Sequence, residues 1–256
     1  MNNMEKTHKH TYHLTAGECD ATGHLPLTSL CERLIEVATE HANMLGIGYS
    51  RLIALGLGWV LSRVSVEITS YPCINDTYSI TTWIESINRR FSERNMLIRD
   101  SKGKTIGYAR TVWVAIDIRK RTMGDLTLIA AESLPCPSLP CPITKMPRLN
   151  SPGPGALEFD YTFRYCDLDF NRHVNTVRHI DLILNRWPLE QFDRCLVRRL
   201  DIGFSHECYF HDVVTVRASQ SGNVNDCELL RDGTKMVSAR LTWQDRETAP
   251  TSFIPL

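Results

Sequence analysis

Two stretches of this chain follow one pattern. Residues 12–24 read YHLTAGECDATGH and residues 161–173 read YTFRYCDLDFNRH, so that Asp20, Thr22 and His24 fall on Asp169, Asn171 and His173 in the same order and spacing. Self-similarity on this scale means one structural unit used twice. Seven of the twelve prolines lie between Pro135 and Pro154. Proline removes backbone donors and favours extended conformers, so this stretch reads as a semi-rigid connector. The expected organisation is a first repeat over 1–132, a linker over 133–157 and a second repeat over 158–256.

Each repeat then gives the same order of elements. A short strand leads to a helix, marked by Leu27, Leu30, Leu34, Val37 and Leu45 in the first copy. In the second copy Val177, Ile180, Ile183, Leu184 and Trp187 mark it before Pro188 stops it. Alternating, β-branched runs follow at 59–69, 77–87, 94–100 and 105–117, and again at 195–204, 212–218, 227–232 and 235–243. DSKGK (100–104) and RDGTK (231–235) are hairpin turns joining the last two strands of each set. A curved antiparallel sheet burying one long helix is the economical solution, an α+β unit made twice. Two such units side by side pair their sheets and leave a crevice between them.

Lysine plus arginine and aspartate plus glutamate are equal at 29 each, so no global field draws the chain to nucleic acid. No apolar run is long enough to span a membrane, and the polar start MNNMEKTHKH is no signal peptide. Nine scattered cysteines without a C-x-x-C pair argue for reduced thiols in a cytoplasm, with neither a disulfide framework nor a structural zinc site. His8, His10 and His13 read as a solvated tail, and no metal site is expected. Nucleotide loops and the H-E-x-x-H zinc signature are absent, which removes redox, phosphoryl-transfer and metallohydrolase readings.

The order of elements and the residues together resemble a known family. YCDLDFNRHVNTVRHIDLILNRWP (165–188), followed by FSHECYFHDVV (204–214), is similar to the acyl-acyl-carrier-protein (acyl-ACP) thioesterases of plants and bacteria. LGWVLSRVSVEITSYPCINDTYSITTWIE (57–85) is similar to that family's N-terminal repeat. The resemblance covers roughly residues 10–245. It implies a tandem, or double, hotdog: two antiparallel sheets, each wrapped around a long central helix. It also implies hydrolysis of fatty acyl-ACP to free fatty acid and holo-ACP, with acyl carrier protein as partner and no cofactor. The family's proposed catalytic positions fall on Asp169, Asn171, His173 and Glu207, with Cys208 beside the last. An acyl-CoA thioesterase and a non-catalytic acyl-binding module are the alternatives, and a homodimer is possible.

The chemistry suits those residue types. Thioester hydrolysis needs an activated water or nucleophile, stabilisation of an oxyanion and a proton for the departing thiol. In an extended segment Asp169, Asn171 and His173 face one side, and the helix starting near Asn175 offers free N–H groups. Asp169 is either general base or nucleophile, Asn171 orients water or carbonyl, and His173 polarises the carbonyl or shuttles the proton. Glu207 comes from the neighbouring strand into an apolar crevice. Asp169 and Asn171 are also ordinary turn and cap residues. Cys208 reads as core, not nucleophile.

Aligning RVSVEITSYPCIND (63–76) with RLDIGFSHECYFHD (199–212) sets Tyr71 against Glu207 and Pro72 against Cys208. The first repeat therefore lacks the second carboxylate. It reads as catalytically silent and as the acyl-chain pocket, lined by Leu34, Val37, Met44, Leu45, Trp59, Leu61 and Trp83. Arg119, Lys120 and Arg121, or Arg198 with Arg199, are candidates for a basic rim facing an acidic carrier.

Overall fold

The computed structural model describes residues 6–132, 134–219 and 222–246. The first repeat comprises β1 (His8–His13), α1 (Leu27–Met44), α2 (Tyr49–Ala54), β2 (Leu57–Ile68), β3 (Thr77–Ile87), β4 (Phe91–Asp100), β5 (Thr105–Asp117), β6 (Thr122–Met123) and α3 (Thr127–Ala130). The second comprises β7 (Leu157–Thr162), α4 (Thr176–Leu184), α5 (Leu189–Arg194), β8 (Cys195–Phe204), β9 (Val213–Ala218), β10 (Val224–Arg231) and β11 (Thr234–Asp245). The short pieces α2, α3, α5 and β6 are the elements that sequence periodicity misses, each being too brief to show a period.

Strand order reveals the duplication. It runs β1-β3-β4-β5-β2 and continues β8-β11-β10-β9-β7, so β7 stands for β1, β9 for β3, β10 for β4, β11 for β5 and β8 for β2. Strands β2 and β8 pair antiparallel at the middle, from Arg63↔Gly203 to Glu67↔Arg199, and merge the two expected sheets into one. Each half wraps its sheet around a helix, as in a double hotdog.

Helix α1 buries Leu27, Leu30, Cys31, Leu34, Val37, Ala38 and His41, a stripe at three- and four-residue steps. In α4, Val177, His179, Ile180, Leu182 and Ile183 do the same. The two helices lie side by side, and Thr28 Oγ1 donates to Asp181 Oδ1 at 2.6 Å across them. Their stripes meet one another and the inner sheet face in a single hydrophobic core spanning both repeats. A smaller cluster, built on Leu45, Ile47, Leu52, Leu57, Ile84, Leu126 and Ile129, fills the end of the first repeat beneath α2 and α3. Because the larger core is shared, the repeats bury their apolar faces together.

A polar seam on the outer face reinforces the β2–β8 junction. Asp201 is buried, accepts from Ser65 Oγ at 2.6 Å across the junction and takes Arg199 in a bidentate pair at 2.8 and 2.9 Å. Arg198 and Arg199 both reach Glu67. Both arginines are thus engaged in the seam. Over this face runs the proline-rich segment, without helix or strand from 134 to 156. The Ile143 and Cys141 carbonyls accept from Arg110, and the Thr144 carbonyl accepts from Arg199. The connector is therefore strapped across the sheet.

Hairpin chemistry is as read. Asp100 Oδ1 accepts from the Lys102 and Lys104 amides while Gly103 takes the left-handed φ of 81° that the turn demands. All nine cysteines are free thiols. Among the described residues no helix is long and apolar enough to cross a membrane.

Candidate active site

Asp169 builds the loop that carries the polar trio. Its Oδ1 accepts from the Asn171 amide at 2.8 Å and the His173 amide at 3.1 Å, and its own N–H donates to the His173 carbonyl at 2.8 Å. The segment is therefore a tight turn, not the extended run expected, because one carboxylate oxygen gathers two amides and pulls the chain back on itself. Arg172 takes a left-handed φ of 65° at the bend. Asn171 sits exposed at the loop tip, where its side chain makes no hydrogen bond to the described residues. Asn175 caps α4 by accepting from the Val177 amide at 3.2 Å.

Glu207 arrives from a second loop. It lies beyond the end of β8, not on the strand, and its loop is stitched to the first by Val174 N–H donating to the Cys208 carbonyl at 2.8 Å and by a bridge between His173 and Tyr209. Asp212 accepts from the Tyr209 amide, and Arg231 ties both Asp212 and the Glu207 carbonyl. These contacts set Glu207 Oε1 3.5 Å from His173 Nδ1. The Tyr209 ring stands edge-on to the His173 ring with centroids 5.2 Å apart.

The surroundings of Glu207 are polar rather than apolar, since a half-buried carboxylate needs partners. Arg121 donates to Glu207 Oε2, as does the Tyr209 hydroxyl at 2.7 Å. That carboxylate holds the Tyr209 phenol above its ordinary range. Arg121 belongs to the first repeat, in the turn between β5 and β6. The Asp117 carboxylate shapes that turn by accepting from the Arg119 and Lys120 amides, and Arg121 itself adopts φ 54°. From the sequence Arg121 is expected only on a carrier-facing rim, and Tyr209 is not singled out; the basic run 119–121 is the available signal. Cys208 is buried, and burial pushes its thiol up to about 11, as suits a core residue.

The first repeat repeats this architecture with other side chains. Asp20 Oδ1 accepts from the Thr22 and His24 amides at 2.8 and 3.2 Å, Leu25 N–H donates to the Pro72 carbonyl, and His24 bridges Cys73. Where Glu207 stands, Tyr71 instead donates its hydroxyl to the Val197 carbonyl at 2.8 Å. Arg246, just past β11, reaches Thr22 Oγ1 at 3.1 Å, as Arg121, just past β5, reaches Glu207. Each repeat lends an arginine to the loops of the other.

The expected pocket residues scatter. Leu34, Val37 and Leu61 are sealed in the large core and Leu45 in the small cluster, where Trp59 packs and donates from its indole to the Ile47 carbonyl at 2.9 Å. Met44, at the last turn of α1, is 52% exposed and lines no closed interior. Trp83 pairs in register with Asn95, beside Arg110, whereas its neighbours Thr82 and Ile84 face inward. Strand alternation therefore puts Trp83 on the outer face, away from any interior pocket. Beside the polar cluster the repeats touch through Tyr49 of α2 and Phe170 of the Asp169 loop, both exposed, with ring centroids 6.0 Å apart.

Residues 5–128 match the model of the acyl-ACP thioesterase N-terminal domain, and residues 155–245 match that of the C-terminal domain. Over 95% of its length the chain is 24% identical to a palmitoyl-acyl carrier protein thioesterase of Arabidopsis thaliana, of which it covers 65%. It is 28% identical to an oleoyl-acyl carrier protein thioesterase from the same plant, covering 73% of this chain and 56% of that relative. The chain thus spans less than two thirds of the length of these curated relatives. Among solved structures, an acyl-ACP thioesterase from Bacteroides thetaiotaomicron superposes with a TM-score of 0.88 at 29% identity, covering 93% of this chain and 98% of that one.

Proposed function

Since the chain belongs to the acyl-ACP thioesterase family, we propose that it hydrolyses the thioester of fatty acyl-ACP to free fatty acid and holo-ACP, at the crevice where the Asp169–His173 loop meets Glu207. The observation that carries this reading is the convergence of His173 and Glu207 from two loops, with Glu207 fixed by Arg121 and Tyr209.

The roles follow from what each group already holds. Glu207 orients His173 through Nδ1, which leaves Nε2 to take a proton from the attacking water and return it to the departing thiolate. Asp169 anchors the loop with one oxygen and turns the other to the reacting water. Asn171, whose amide is uncommitted, holds the thioester carbonyl. Arg121 and Tyr209 are positioning residues: they fix the rotamer of Glu207 and do not meet the substrate. The acyl chain enters past Tyr49 and Phe170 toward the first repeat, and the exposed Arg119 and Lys120 beside Arg121 meet the acidic carrier.

Thiol release from matched acyl-ACP and acyl-coenzyme A substrates of several chain lengths tests this. Faster turnover of the carrier-linked series supports the reading. Preference for the coenzyme A series, or acyl binding without turnover, overturns it.

A further inference from the structure

The stretch carrying His8, His10 and His13 is a strand and not the solvated tail expected of it. His8 and His10 lie in β1, in register with Thr82 and Ile80 of β3, and both are half-buried. Residues two apart on a strand share a face, and this face looks onto α1. There the two imidazoles converge on one carboxylate oxygen: His8 Nε2 is 2.7 Å and His10 Nδ1 3.0 Å from Glu40 Oε2. One ligand atom from each of the three residues lies within 4.8 Å of the other two. Tyr12, next on the same face, stacks on the His10 ring with centroids 4.4 Å apart and donates its hydroxyl to Glu36 at 3.2 Å beneath the Arg33 guanidinium, so it backs the His10 imidazole without taking either of its nitrogens.

From this juxtaposition we propose that His8, His10 and Glu40 form a binding site for a first-row divalent cation, zinc being the natural occupant. Two imidazole nitrogens and a carboxylate are the donor set zinc takes, at about 2.0–2.2 Å from each, with water completing the tetrahedron. Strand β1 and helix α1 are regular elements held by the core through Tyr12 and Val37, so the ligands are assembled before the ion arrives. The imidazoles supply the borderline-soft donors that zinc, cobalt and nickel prefer over calcium or magnesium. The ion would replace two hydrogen bonds to one oxygen with three coordinate bonds, and so clamp the outermost strand of the sheet to its central helix. The site is separate from the His173–Glu207 cluster and stabilises the fold without entering the reaction.

The test is zinc titration of the chelator-stripped full chain by calorimetry, with thermal melts alongside. One equivalent should bind, and saturation should raise the melting temperature by roughly 4 °C or more. His10→Ala should weaken binding at least about tenfold, and so should Glu40→Gln, which keeps hydrogen-bonding capacity and guards against loss of fold as the cause. Thioester turnover should be the same with and without chelator. Absence of zinc binding at millimolar concentration, or affinity unchanged in both variants, would overturn the proposal.

Discussion

Arg121 of the first repeat donates to the carboxylate of Glu207 in the second. The counterpart of that contact is Arg246 of the second repeat reaching Thr22 and His24 of the first. Duplication thus produced two sites, each braced from the other repeat, and only one of them carries a second carboxylate. Arg121 is the link through which the first repeat would serve the chemistry proposed for the second.

Arg121→Ala should therefore lower kcat on the order of a hundredfold with KM nearly unchanged, because Glu207 loses its fixed rotamer while substrate contacts persist. Arg121→Lys should recover only part, since an ammonium is a point charge that does not reproduce the planar guanidinium. Steady-state kinetics with a melting curve for each variant checks this. A KM effect with intact kcat would move Arg121 to carrier docking.

Asp169 can be divided by two substitutions. Asp169→Asn keeps an oxygen able to accept the Asn171 and His173 amides, so the melting temperature should hold while turnover falls about a hundredfold or more. Asp169→Ala should lose both loop and turnover, adding a destabilisation of about 1 kcal/mol or more. Full activity in the asparagine variant would leave Asp169 as a loop builder alone.

His24→Ala should leave turnover within about threefold of the parent, since its imidazole contacts Thr22 and Arg246 and, among the described residues, no carboxylate pairs with the ring. Collapse of activity with the fold intact would show that the first site also works.

Much of this arrangement is legible in the chain. The strands at 77–87, 105–117 and 195–204 coincide with β3, β5 and β8, because alternation is strong where one sheet face is buried against a helix. The trio at 169–173 and Glu207 are likewise visible as motifs. What escapes is whatever depends on the pairing of distant segments. Nothing local tells Arg121 that it will face Glu207, since that contact exists only once β2 and β8 join the sheets. The shape of the Asp169 turn is missed for another reason: a carboxylate gathering its own downstream amides overrides the alternation its neighbours display. Trp83 shows the cost of choosing pocket residues by type, because register, not hydrophobicity, decides which face a strand residue takes.

A pH effect on stability comes from His179, buried on α4 between Phe163 and Phe204. Burial pushes its imidazole down to about 4, outweighing the pull of the nearby Asn175 and Thr176 carbonyls. The folded state keeps it neutral while the unfolded chain takes a proton near pH 6.5. Its contribution is thus complete above pH 6.5 and disappears as pH falls toward 4, by about 3 kcal/mol at most. Urea unfolding across that range should show the loss, and His179→Leu should flatten it.

The most direct measurement is kcat of the Glu207→Gln variant against its parent on one acyl-ACP substrate. The amide preserves shape and a contact to Tyr209 but removes the charge that orients His173. The variant's kcat should fall at least about a hundredfold at unchanged KM and melting temperature. Parent-level turnover in that variant would contradict this role of Glu207.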